Sequence, residues 1–281
     1  RITLFSNVVV FSTYATYVVM SFMMLVMIFM MLPAAQVSAE RINEVLERDV
    51  NIKEGSVSEG REQGTVEFKN VSFRYPHASE DELSNISFKI NKGQTLAIIG
   101  ATGSGKTTLI SLIPRFYDVR QGEVLVDGVD VKEYPFSQLR GMIGIVPQKA
   151  VLFKGTIRHN MQWRDKNATD EDIWNALDIA QAKDFVEKKP DKLDEMILQE
   201  GKNLSGGQRQ RLTIARALVG DPEILILDDS ASALDLATDA RLRKAIHEKT
   251  SGMTVFIVSQ RISSIKSADK IIVLDDGKIA G

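Results

Sequence analysis

The sequence predicts an α/β fold with a parallel-sheet core and an antiparallel β subdomain, preceded by one transmembrane helix. Three observations carry that expectation. The N-terminal stretch from Ile2 to Ala39 has no charged residue. Four short runs further on are continuously aliphatic, as strands buried on both faces are. A glycine-rich loop stands between one of those runs and a helix start, the context in which such a loop holds phosphate.

The apolar N-terminus comes first. Leu4 to Leu32 is mostly apolar, and at ~1.5 Å per residue it reaches ~43 Å, beyond a ~30 Å hydrocarbon core. A signal peptide has a shorter apolar region and a small-residue cleavage site. Residues 1–37 are therefore expected to cross a membrane in contact with lipid, as the last helix of a membrane domain whose other helices lie upstream of Arg1. Met20, Met23, Met24, Met27 and Met31 recur at helical spacing. Such a stripe suits an adaptable cavity for small molecules, and packing against lipid or neighbouring helices accounts for it as well.

Residues 38–63 are charged and punctuated by glycine. Ile42, Val45 and Leu46 keep helical spacing, so the helix is expected to continue into water before a linker begins. Residues 64–281 then form a soluble domain, expected to continue beyond Gly281. Within it TVEFKNVSFRY (65–75), ISFKI (86–90) and EVLVDG (123–128) alternate apolar and polar, as half-exposed antiparallel strands do. TLAIIG (95–100), ILIL (224–227), TVFIVS (254–259) and IIVL (271–274) are the aliphatic runs expected to pair in parallel. A helical block over 169–188 opens with the capping residue Thr169, the start of an α-helical subdomain.

Composition excludes some functions. The 281 residues carry a formal net charge of −2, without the basic stripe that nucleic acid requires. There is no cysteine, which removes disulfides and thiolate metal sites.

The stretch GATGSGKT joins the run 95–100 to a helix start. Gly100, Thr102, Gly103, Ser104 and Gly105 let the backbone wrap phosphates with its N–H groups. Lys106 is placed to reach the β- and γ-phosphates of a nucleotide, and Thr107, followed by Thr108, to ligate Mg²⁺. Asp228, at the end of ILIL, is the acid expected beside that metal. The stretch LSGGQ opens a second helix with Ser205, Gly206, Gly207 and Gln208, a second anion site with no partner inside one subunit. Two copies set head to tail resolve this, each LSGGQ closing over the other's ATP.

These motifs together resemble the ATP-binding cassette family: a Gly-Ser-Gly-Lys loop, then LSGGQ upstream of ILILDD, then SALD. The likeness runs over essentially all of residues 64–281. It implies a P-loop cassette fold, ATP with Mg²⁺ as its ligands, and ATP-driven transport as its activity. It further implies that Tyr75 stacks on adenine and that Gln148 meets Mg²⁺ and the attacking water. Ser232 and Asp235 match the loop that crosses the dimer interface. A helix running straight into the cassette resembles an exporter half, embedded in the cell membrane with its cassette in the cytoplasm. Importers of the family generally carry cassettes on separate chains, and its DNA-repair and translation members lack the helix.

Two positions depart from the family pattern. Asp229 stands where most cassettes have the glutamate that polarises water, and is one methylene shorter. Gln260 stands where a histidine usually meets the γ-phosphate, and glutamine neither carries charge nor shuttles a proton. His77, His159 and His247 lie elsewhere and are expected to face solvent. Both departures lower hydrolysis at this chain's own site while LSGGQ stays intact. That asymmetry resembles one subunit of a heterodimeric multidrug exporter with a degenerate site, whose partner carries glutamate and histidine at the matching places. Two alternatives stand beside it: a homodimeric exporter with two equal Asp-based sites, and an ATP-gated regulatory or channel protein.

Overall fold

The computed structural model describes residues 2–48, 52–57, 62–230, 232–250, 252–261 and 265–281. Parts of the expected linker (49–51 and 58–61) lie outside these residues. The chain divides into two compact units, Arg1–Asn51 and Ile52–Gly281.

The first unit is one helix, α1 (Ile2–Leu46), with Pro33 inside it. It is long and apolar enough to cross a membrane by length and composition. Four of its hydroxyls bond within the helix. Thr13 donates to the Val9 carbonyl, Thr16 to Ser12, Ser21 to Tyr17 and Ser38 to Ala34, each one turn back. Satisfying polar groups within the helix is what a hydrocarbon surround demands.

The second unit holds two main sheets. Strands β1 (Val66–Phe73), β2 (Leu83–Ile90), β4 (Gln121–Val126) and β5 (Val129–Asp130) form an antiparallel sheet in the order β2-β1-β4-β5. Strands β3 (Thr95–Ile99), β6 (Ile143–Val146), β9 (Ile224–Asp228), β10 (Thr254–Val258), β11 (Lys270–Asp275) and β12 (Lys278–Ile279) form the second, ordered β12-β11-β3-β10-β9-β6. It is parallel throughout except for β12. A short pair, β7 (Gly155–Thr156) with β8 (Met196–Ile197), lies among the helices.

Every residue of β9 and β10 is buried, and their side chains divide between two cores. Ile226 and Phe256 join Phe68, Phe73 and Leu109 of helix α2 (Lys106–Ser111) in the core under the antiparallel sheet. Leu225, Leu227 and Val255 join Leu177 of α5 (Asp170–Ile179) and Leu212 of α7 (Gly206–Leu218) on the other face. Helices α3 (Phe136–Met142), α4 (Ile157–Gln162), α6 (Lys183–Glu187) and α8 (Leu236–Lys249) complete the unit. Alternation is thus hidden in the sequence because both faces are apolar.

Two sequence expectations change in detail, and one strand goes without any. The aliphatic run 271–274 pairs in parallel as β11, but Ile271 and Val273 are exposed, so one face is open. The helical block 169–188 is two helices, broken where Gln181 takes a positive φ after α5. Strand β6 has no forecast, because four residues with a central glycine give little pattern to read.

Asp127 ties the start of the second unit to the antiparallel sheet. Its carboxylate accepts from the Thr65 amide at 3.1 Å, and its amide donates to the Thr65 carbonyl at 2.9 Å. The side chain is buried, and burial, reinforced by the charge of Glu223, pushes its carboxyl up to about 6. Since the folded-state value lies above the ordinary 3.8, the ionised form costs stability. That cost is absent below the ordinary value and complete once pH exceeds the folded one. Asp127→Asn keeps an oxygen for the Thr65 amide. Thermal unfolding should show the variant more stable than the parent at pH 7.5, by roughly 1–3 kcal/mol. At pH 4 the difference should shrink towards zero; an equal gain at both would remove ionisation as its cause.

Candidate functional site

Strand β10 pairs with both β3 and β9, and its Val258 stands opposite Ile98 on one side and Asp228 on the other. Three strand ends therefore open onto the same edge of the sheet, where ligands settle in open α/β folds. A cleft of about 240 Å³ lies there. Thr102, Gly103, Gly105, Lys106, Thr107 and Thr108 line it from the loop after β3. Asp228 lines it from the end of β9 and Asp229 from just past it, Gln260 from just past β10, and Gln148 from the segment after β6.

The loop holds its shape by close approach. A Cβ on Gly100 would stand 2.1 Å from the Leu274 carbonyl oxygen of β11 and 2.6 Å from Ser104 Oγ, and its φ is +154°. Gly103 also has a positive φ, +82°, yet no atom within 4 Å would meet its Cβ. One glycine is needed for packing and the other only for backbone conformation.

Lys106 Nζ donates to the carbonyls of Gly100 (3.0 Å) and Ala101 (2.5 Å) and to Ser104 Oγ (3.3 Å). Its charge is thus held over the loop by weak acceptors that an anionic phosphate would outcompete. Thr107 Oγ1 donates to the Asp228 carboxylate at 3.0 Å. Burial pushes the Asp228 carboxyl up, the Thr107 bond opposes this, Asp229 adds to it, and Lys106 opposes it again. A hydroxyl beside a buried carboxylate is an all-oxygen donor pair suited to a hard divalent cation such as Mg²⁺. The residues fit both ligands that the sequence implies.

Asp229 sits just past β9 with φ 45°, and its amide donates to the Val258 carbonyl at 2.9 Å. Its side chain is half-buried in the cleft, while Gln260 and Gln148 are exposed there. Tyr75 does not line the cleft. Its hydroxyl and the buried Thr108 hydroxyl share a hydrogen bond at 3.0 Å, and its ring meets Phe73 and Tyr117 edge-on. The ring is half-buried and packs against the core under the antiparallel sheet.

The remaining candidates stand apart from the cleft. Ser205 and Gln208 cap each other at the start of α7: Ser205 Oγ accepts from the Gln208 amide, and Gln208 accepts from the Ser205 amide. This leaves Gly206 exposed at that helix start. Asp235 caps α8, accepting from the Thr238 amide at 2.9 Å, and this bonding holds its carboxyl below the usual range. Ser232 donates from both its amide and its hydroxyl to the Asp229 carbonyl. His77, His159 and His247 are all exposed and outside the cleft. Sequence reading missed Glu82 and Ser259, which also line the cleft. Ser259 follows a forecast strand and was within reach; Glu82 has no local motif.

Residues 83–232, more than half of the chain, match the family model of ABC transporters. The chain belongs to the ABC transporter family. It is 43% identical over 273 residues to the ABC transporter ATP-binding protein YfiB of Bacillus subtilis, covering 97% of this chain and 47% of that protein. It is 42% identical over 244 residues to "Probable multidrug resistance ABC transporter ATP-binding/permease protein YheI" of the same organism, covering 86% of this chain and 42% of YheI. Among solved structures, a bacterial Atm1-family ABC exporter with ATP bound superposes with a TM-score of 0.83 at 31% identity, covering 91% of this chain and 45% of that one. The ABC chain spans about half the length of the relatives it matches. Its α/β P-loop cassette with a long apolar N-terminal helix is the architecture of that exporter neighbour.

The two glycines separate packing from binding in this ABC domain. Gly100→Ala should lower the melting temperature sharply, because the Leu274 carbonyl is backbone and cannot yield cheaply. Gly103→Ala should cost only about 1–2 kcal/mol of backbone strain while weakening binding of a fluorescent ATP analogue. Equal melting temperatures for the two variants would contradict this assignment.

Proposed function

We propose that this chain is the ATP-using half of an exporter of small hydrophobic or amphipathic molecules, and that its own ATP site hydrolyses slowly. What supports the reading is that Asp229 and Gln260 line the same cleft as Lys106 and Thr107. Both departures from the family pattern therefore bear on one nucleotide.

The chain's residues divide the work as follows. Lys106 exchanges its loop carbonyls for the β- and γ-phosphates of ATP, and Tyr75 stacks on adenine. Thr107, Asp228 and Gln148 would hold Mg²⁺, which would neutralise charge on the phosphates. Asp229 accepts a proton from the attacking water. Its carboxylate is one carbon nearer its own backbone than a glutamate's, and general-base help is worth ~10²–10⁴ in rate, so lost reach costs much of that. Gln260 gives the γ-phosphate a neutral hydrogen bond in place of a charged or proton-carrying one.

Ser205, Gly206, Gly207 and Gln208 act on the ATP of a second exporter half, and Ser232 and Asp235 lie at the interface between halves. In this reading the partner is a different chain with glutamate and histidine at the matching positions. The helix α1 stands in the membrane, with the cassette on the cytoplasmic side. Closure of two cassettes over ATP drives the cycle, and the slow site keeps them associated through it.

ATPase assays on the complete natural protein, alone in lipid nanodiscs, test this. The expected result is tight ATP binding with very little turnover. Asp229→Glu combined with Gln260→His should then raise turnover by ~10²-fold or more. Brisk turnover of the unaltered protein, abolished by Asp229→Asn, would instead establish a homodimer with two working sites.

A further inference from the structure

Arg261 follows Gln260 directly but does not line the cleft. Its guanidinium Nη1 donates to the Leu234 carbonyl and its Nη2 to the Ser232 carbonyl, both at 3.0 Å. Its amide donates to Ser259 Oγ at 3.1 Å, and Ser259 is buried. One side chain therefore fastens the exit of β10 to both sides of Ala233 in the loop between β9 and α8.

That loop has two further attachments. Ser232 is bonded twice to the Asp229 carbonyl, so one end is tied to the cleft. A Cβ on Gly207 would stand 3.4 Å from the Ala233 carbonyl oxygen, so the other side abuts the start of α7. Leu234 is buried in the core beneath α7. The loop thus lies where the cleft, the LSGGQ helix and the end of β10 meet.

We propose that Arg261 is a positioning residue that transmits the state of the cleft to the loop 232–235. It rests on the reading that ATP occupies this cleft. Gln260 and Arg261 share one peptide unit, so a shift of Gln260 towards a γ-phosphate moves the Arg261 backbone with it. The guanidinium is a rigid planar fork holding two carbonyls at once, so the loop follows rather than slips. Each bond has a charged donor, which strengthens it over a neutral one. Lysine in this place offers a point charge that holds one carbonyl well, and methionine fills the space while holding neither.

Hydrogen–deuterium exchange on the complete natural protein in nanodiscs tests this, with and without ATP and Mg²⁺. In the unaltered protein, nucleotide should slow exchange both at the end of β10 and in the loop through Ser232 and Leu234. In Arg261→Met, ATP affinity and the response at β10 should persist while the loop no longer responds. The loop should then exchange about tenfold faster with nucleotide bound, as loss of a charge-assisted bond predicts. Arg261→Lys should fall between the two. A loop that still responds fully in Arg261→Met overturns the proposal. If that variant fails to protect β9 and β10 without nucleotide, Arg261→Lys decides, and an undiminished loop response there overturns it too. Failure of the unaltered protein to bind ATP would remove the underlying reading instead, and is distinguishable because no segment would respond.

Discussion

The parallel pairing of β3, β10 and β9 sets where Lys106, Thr107, Asp228, Asp229 and Gln260 stand in the cleft. Ile98, Val258 and Asp228 are opposite one another across three strands, so the segments leaving those strands emerge side by side. Slipping β10 by a residue would send Phe256 from one core to the other and expel its neighbours. With both faces apolar, packing of particular shapes rather than polarity fixes the register. Deleting a buried ring such as Phe256 costs ~3–5 kcal/mol in well-packed cores. The site is therefore positioned by residues that never touch a ligand.

Charge at the cleft is governed by the surroundings of Lys106 and Asp228. Lys106 Nζ donates to carbonyl and hydroxyl oxygens, acceptors that carry no formal charge. Asp228 is pushed the other way by burial and by Asp229. A site with an unneutralised cation and a carboxylate reluctant to ionise favours binding an anion together with a divalent cation over either alone. Such a preference follows from the placement of Lys106 and Thr107 one residue apart, facing phosphate and metal respectively in the proposed function.

Much of this was legible in the sequence. The four aliphatic runs are β3, β9, β10 and β11, and the loop after β3 with the start of α2 brings Thr102, Gly103, Gly105, Lys106, Thr107 and Thr108 to one cleft with Asp228. Legibility ends where contacts are long in sequence. Glu82 reaches the cleft only because β2 packs beside the loop, with Leu83 2.8 Å from where a Gly105 Cβ would be. The grip of Arg261 on carbonyls 27 and 29 residues away has no local pattern. Exposure of one face of β11 is likewise invisible, because IIVL reads the same whether or not a layer covers it.

The short acid at position 229 has a conformational side as well as a chemical one. Its φ of 45° lies in the left-handed region, which costs most residues roughly 1–2 kcal/mol and which aspartate tolerates through local hydrogen bonding. The Val258 carbonyl captures its amide, and Ser232 captures its carbonyl twice, so the backbone is held in that state from both sides. Reach towards a water is then set by where this fixed backbone aims its Cβ, and only afterwards by the length of the side chain. Glutamate would gain a methylene of reach without the short side chain's ease in this conformation. In the proposed function, the action of Asp229 on water is therefore a property of the whole turn, with Ser232 and the end of β10 as much a part of it as the carboxylate.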